Sequence, residues 1–118
     1  MLFLSTAQLT ADDPDIQQDV YRWDATNGLE LVSAAAPGGL HNGATNGAAF
    51  SGDDQAIFLT SSAQLTANDP DTLNDVYLWR EGAGLQLISE AAPGCLHNGA
   101  SSNPSGSFDG SAATFYST

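Results

Sequence analysis

Seven of the 14 acidic side chains fall in two short stretches, LTADDPDIQQD over 9–19 and LTANDPDTLND over 65–75: Asp12, Asp13, Asp15, Asp19, Asp69, Asp71 and Asp75. Carboxylates at positions 1, 3 and 7 of a short loop can converge on a hard cation, because Ca²⁺ takes six to eight oxygen ligands from flexible loops. Asp13, Asp15 and Asp19 have that spacing, as do Asp69, Asp71 and Asp75, with Asn68 and Asn74 offering amide oxygens. The pattern departs from an EF-hand loop, having neither the glycine at the sixth position nor the glutamate at the twelfth. Aspartate also serves turns, where its carboxylate accepts nearby backbone N–H groups, and Pro14 and Pro70 stiffen such a bend. The two histidines, His41 and His97, sit in APGGLHNGA (36–44) and APGCLHNGA (92–100), each followed by Asn-Gly. A histidine there can ligate a metal or move a proton near neutral pH; it can equally be a hydrogen-bonded turn residue. With Asn42 and Asn98, these acidic and histidine residues form the candidate ligand-binding set, and the six spaced aspartates form a candidate Ca²⁺ set.

These loops recur because the chain is duplicated. Residues 7–44 and 63–100, offset by 56, are identical at 25 of 38 positions. DVYRW (19–23) and DVYLW (75–79) are rich in β-branched and aromatic residues, which suit a pleated surface. GLELVS (28–33) and GLQLIS (84–89) alternate with period two. The hairpins between them carry Asn27-Gly28 and Gly84, residues suited to positive φ. AIFLTSS (56–62), LFLST (2–6) and ATFYST (113–118) read as further strands, and a short strand over 46–51 precedes the turn at GDD (52–54). The alanine runs stop at Pro37 and Pro93, so no helical period is sustained.

Four antiparallel strands in a unit of this length is the build of a β-propeller blade. The expected fold is all-β: strands two to four of one blade over 1–45, a full blade over 46–101 and the start of a third over 102–118. A ring takes roughly four to eight blades, so closure needs further blades or other chains. The D-V-Y-x-W strand, the glycine hairpin into L-x-L-[VI]-S and the FDGS turn resemble the WD40-like repeats of TolB-type propellers, although GDDQ at 52–55 lacks the glycine usual after the aspartate. That resemblance implies a binding scaffold, often extracytoplasmic. In such a fold the acidic and histidine loops would line one rim.

A net charge of −12, with Arg22 and Arg80 the sole basic side chains, argues against a nucleic-acid or anionic-membrane surface. No run approaches the roughly 18 apolar residues of a membrane span. Lone Cys95 forms no internal disulfide. Tyr21, Trp23, Tyr77 and Trp79 read as packing between sheets, with a carbohydrate-stacking platform as the alternative. Arg22 stands where the second copy has Leu78; either the first unit exposes that face, or Arg22 pairs with an acidic neighbour. No G-x-S-x-G or H-E-x-x-H set appears. The expected role is therefore a non-catalytic scaffold that binds a protein or small ligand, basic in character, on its acidic loops. The alternatives are a calcium-stabilised repeat and a part of a propeller hydrolase or lyase.

Overall fold

The computed structural model describes residues 1–53, 55–107 and 109–118; Asp54 and Phe108, in the expected GDD and FDGS turns, lie outside the described residues. The described chain contains nine strands and no helix. β1 (Leu2–Ser5), β2 (Asp19–Asp24) and β3 (Gly28–Leu31) form one antiparallel sheet. β4 (Thr45–Phe50), β5 (Ala56–Ser61), β6 (Asp75–Arg80) and β7 (Gly84–Leu87) form a second, in sequence order, and β8 (Ser101–Gly106) pairs with β9 (Ala113–Ser117) in a third. None of the sheets closes on itself. No described helix is long and apolar enough to cross a membrane.

The strand starting at Gly28 ends two residues earlier than its alternation predicts. Val32 and Ser33 both direct their N–H groups to the Val20 carbonyl, at 2.8 and 3.4 Å, so the ladder breaks into a bulge. Ile88 and Ser89 repeat this on Val76. The hairpins turn where expected, with Gly28 at φ 76° and Gly84 at φ 77°, a region that favours glycine.

Period-two alternation gives the middle sheet two working faces. Ile57 pairs across from Trp79, Leu59 from Tyr77, and Tyr77 from Leu87, so all five share one face. That face packs against Val20 of the first sheet and Val32 just past its third strand to make the core, with Ala63 and Leu65 alongside. Phe58 and Leu78 point the other way, into a groove against the third sheet lined also by Phe115. Arg22 resolves the alternative left by the sequence. It is buried, lies 5.0 Å over the Trp79 ring, and pairs with Asp24 at 2.7 Å, Glu81 at 3.2 Å and Glu30 at 3.8 Å. A cation over an indole contributes on the order of 1–2 kcal/mol when partly desolvated.

Backbone contacts stitch one repeat to the next. The Ala36 N–H donates to the Leu65 carbonyl at 2.8 Å and the Leu40 N–H to the Gln64 carbonyl at 2.7 Å. Asn42 donates to the Gln64 side chain at 2.8 Å and accepts the Gln64 N–H at 2.9 Å. The approach is tight: a Cβ on Gly39 would lie 2.2 Å from the Leu65 carbonyl oxygen, and one on Gly43 would lie 2.7 Å from the Ser62 carbonyl carbon.

Two outcomes follow. Gly43→Ala must displace backbone, so urea denaturation should show a loss of about 1–3 kcal/mol. Gly47→Ala, whose Cβ meets nothing within 4 Å, should change stability by less than about 0.5 kcal/mol; equal losses would contradict the close seam. In the first hairpin, the Asn27 N–H, the Asn27 amide, the Thr26 N–H and Arg22 hold the Asp24 carboxyl down from 3.8 to about 2. A depressed carboxyl stabilises the fold above its unfolded value and loses that contribution as pH falls through the folded value. Asp24→Asn should therefore flatten the acid limb of the stability curve between pH 3.8 and about 2; an unchanged limb would refute this.

Candidate functional site: two acidic loops faced by histidines

Each acidic loop is folded by its own carboxylates. Asp13 accepts the Asp15 N–H at 3.1 Å and Asp15 accepts the Gln17 N–H at 2.6 Å. The second copy repeats this with Asp69, Asp71 and Leu73 at 3.1 and 2.7 Å. The turn reading of these aspartates therefore describes one oxygen of each. The remaining oxygens do different work.

Asp13 and Asp69 are buried and turn their second oxygen inward, onto the hydroxyls of Tyr21 and Tyr77. The Tyr77 hydroxyl also lies 2.8 Å from the Ala63 carbonyl and accepts the Leu65 N–H at 3.3 Å. Burial, then the bond to Asp13, pushes the Tyr21 hydroxyl up to about 12; burial and Asp69 push Tyr77 up further. Both phenols stay protonated donors. This strand-to-loop cap was not legible in the sequence, where the tyrosines read as packing alone; the one available signal was the constant spacing of eight residues from Asp13 to Tyr21 and from Asp69 to Tyr77.

Asp19 and Asp75 are buried at the first positions of β2 and β6. Each accepts a 2.6 Å hydrogen bond from the serine just past the paired strand, Ser33 or Ser89. That serine in turn accepts the N–H of Val20 or Val76 at 3.0 Å. The second carboxylate oxygen, Oδ2, of both aspartates is solvent-excluded with no hydrogen-bond partner. Burial raises both carboxyls above their usual range, against the lowering pull of the serine and the nearby histidine.

The histidine loops reach these clusters. His97 Nδ1 lies 3.3 Å from Asp71 Oδ2, and Nε2 lies 2.9 Å from Asp75 Oδ1. The second approach has poor hydrogen-bond geometry, since Nε2 is buried without a satisfied partner. Burial alone would lower the imidazole, but Asp71 and Asp75 outweigh it and raise His97 above 6.5. His41 is turned differently. Its Nε2 accepts the Ala35 N–H at 3.1 Å, and Nδ1 is 3.9 Å from Asp15.

Donor atoms of Asp13, Asp15 and Asp19 lie within 4.8 Å of one another, as do those of Asp71, Asp75 and His97. The other sequence candidates stand apart from these two clusters. Asp12 is exposed, and Asn42 is spent on Gln64 across the repeat seam. Asn98 occupies the equivalent place without such a bond among the described residues. Asp69 faces Tyr77 and Asp71.

Tyr77→Phe would leave the buried Asp69 carboxylate short of its donor. Removing one partner of a buried polar pair costs about 1–3 kcal/mol, and urea denaturation should show it. A loss below about 0.5 kcal/mol would contradict the cap.

Comparison with protein-family models, with curated proteins and with solved structures found no match to this chain.

Proposed function

We propose that the chain is a run of β-propeller blades acting as a non-catalytic binding scaffold. Residues 1–45 supply strands two to four of one blade, 46–101 a full blade and 102–118 the start of a third. Further blades, from the same or other chains, close the ring. The acidic and histidine loops line one rim, and their charge suits a basic protein segment or a small cationic ligand.

A single contrast between equivalent positions carries this reading. Trp79 is 5% exposed and Leu65 1%, because the preceding repeat lies over them; their counterparts Trp23 and Leu9 are 47% and 43% exposed. The same residue types at equivalent positions are buried or bare according to whether a preceding sheet lies over them. Repeat proteins behave this way, each unit hiding its broad face on a neighbour. The Gln8 side chain likewise has no counterpart to the Asn42 that grips Gln64 among the described residues.

The bare face should drive association. Light scattering on the purified chain should give a mass above the 12.2 kDa monomer at micromolar concentration, falling toward the monomer on Trp23→Glu. A stable, folded wild-type monomer at those concentrations would count against stacked blades.

A further inference from the structure

We propose that Asp71, Asp75 and His97 bind one divalent metal ion, and that Asp13, Asp15 and Asp19 bind a second in the preceding repeat. This goes beyond the scaffold reading and does not rest on it, since every ligand of each site belongs to a single repeat.

Two independent observations converge. The first is geometric: three donor atoms within 4.8 Å of one another fit around one centre, because metal–ligand distances of about 2.0–2.6 Å place ligand pairs at no more than about 5 Å. The second is the set of orphaned atoms. His97 Nε2, Asp75 Oδ2 and Asp19 Oδ2 are shut away from water with no hydrogen-bond partner, a state that costs free energy unless something else occupies their lone pairs. Protonating His97 does not remove the difficulty. A protonated ring can serve Asp71 Oδ2 through Nδ1, but its Nε2 is poorly aimed at Asp75 Oδ1 and Asp75 Oδ2 stays bare. A cation satisfies nitrogen and carboxylates together.

The surroundings are those of held ligands. Leu73 N–H fixes one oxygen of Asp71, and Ser89 fixes Asp75 while anchoring itself on Val76. Such outer bonds orient metal ligands.

The two sites differ in what they select. The first offers three carboxylates, while the His41 Nε2 lone pair is taken by the Ala35 N–H; an all-oxygen set suits Ca²⁺, Mg²⁺ or Mn²⁺. The second mixes two carboxylates with an imidazole, which favours Zn²⁺ or Mn²⁺ over Ca²⁺.

The test is equilibrium dialysis and thermal melting of the full chain, stripped with chelator, against MnCl₂, ZnCl₂ and CaCl₂. Two Mn²⁺ per chain are expected, with the melting temperature raised by roughly 10 °C or more for each ion at about a hundredfold excess over the dissociation constant. His97→Gln should reduce Mn²⁺ to one per chain and weaken Zn²⁺ at least tenfold, leaving Ca²⁺ unaffected. Asp71→Asn keeps the Oδ1 that accepts the Leu73 N–H, so it should fold normally and lose the same ion. No ion retained at millimolar concentration, whether or not His97→Gln lowers the melting temperature (a proton bridge only), or binding indifferent to both variants would overturn the proposal. None of these results depends on the oligomeric state.

Discussion

The close contact between the loop leaving one repeat and the first extended segment of the next governs the rest of the molecule. Gly39 and Gly43 bring that loop onto the backbone of Ser62–Leu65 at distances no side chain would allow, and Asn42 locks it to Gln64. The contact brings two broad sheet faces together and closes the core around Trp79 and Leu65. It also places chemistry. Leu40 and Asn42, the residues on either side of His41, are the ones pinned to the next repeat. His41 is therefore held over the acidic loop of its own repeat by bonds made to its neighbour.

A chain with two cations and 14 acidic groups has to dispose of buried carboxylates without buried counter-charges. It does so mainly with neutral donors. Tyrosine hydroxyls cap Asp13 and Asp69, serines cap Asp19 and Asp75, and backbone amides fold the loops. The one buried guanidinium is spent between repeats, where Arg22 gathers Asp24, Glu30 and Glu81 over an indole. Hydrogen bonds to an ionised group are stronger than neutral ones, yet they leave part of the desolvation uncompensated at Asp19 and Asp75. Both acidic clusters thus carry more negative potential than their own donors cancel.

Much of the architecture was legible because the repeat displays each element twice. Strand positions, hairpin glycines and the faces of Tyr77 and Trp79 follow from alternation, and the meeting of the acidic and histidine loops follows from the order of strands in a unit. Other features depend on contacts that no local pattern encodes. The bulge at Val32 and Ser33 shortens β3 because a serine hydroxyl takes over a ladder position to reach Asp19. Asn42 reads as a ligand residue next to a histidine, but its amide matches the next repeat's Gln64. The exchange of Asp69 for His97 in the second donor cluster follows the histidine: Tyr21 and Tyr77 hold Asp13 and Asp69 alike, but His97 turns onto Asp71 and Asp75 where His41 turns to the Ala35 N–H.

Amide hydrogen exchange of the full chain tests the seam most directly. If stacking couples the repeats, the Ala36 and Leu40 amides should exchange as slowly as those of β5 in the middle sheet, in one cooperative opening. If those two amides exchange at the rate of an open loop while β5 stays protected, the repeats fold side by side without the contact on which this account stands.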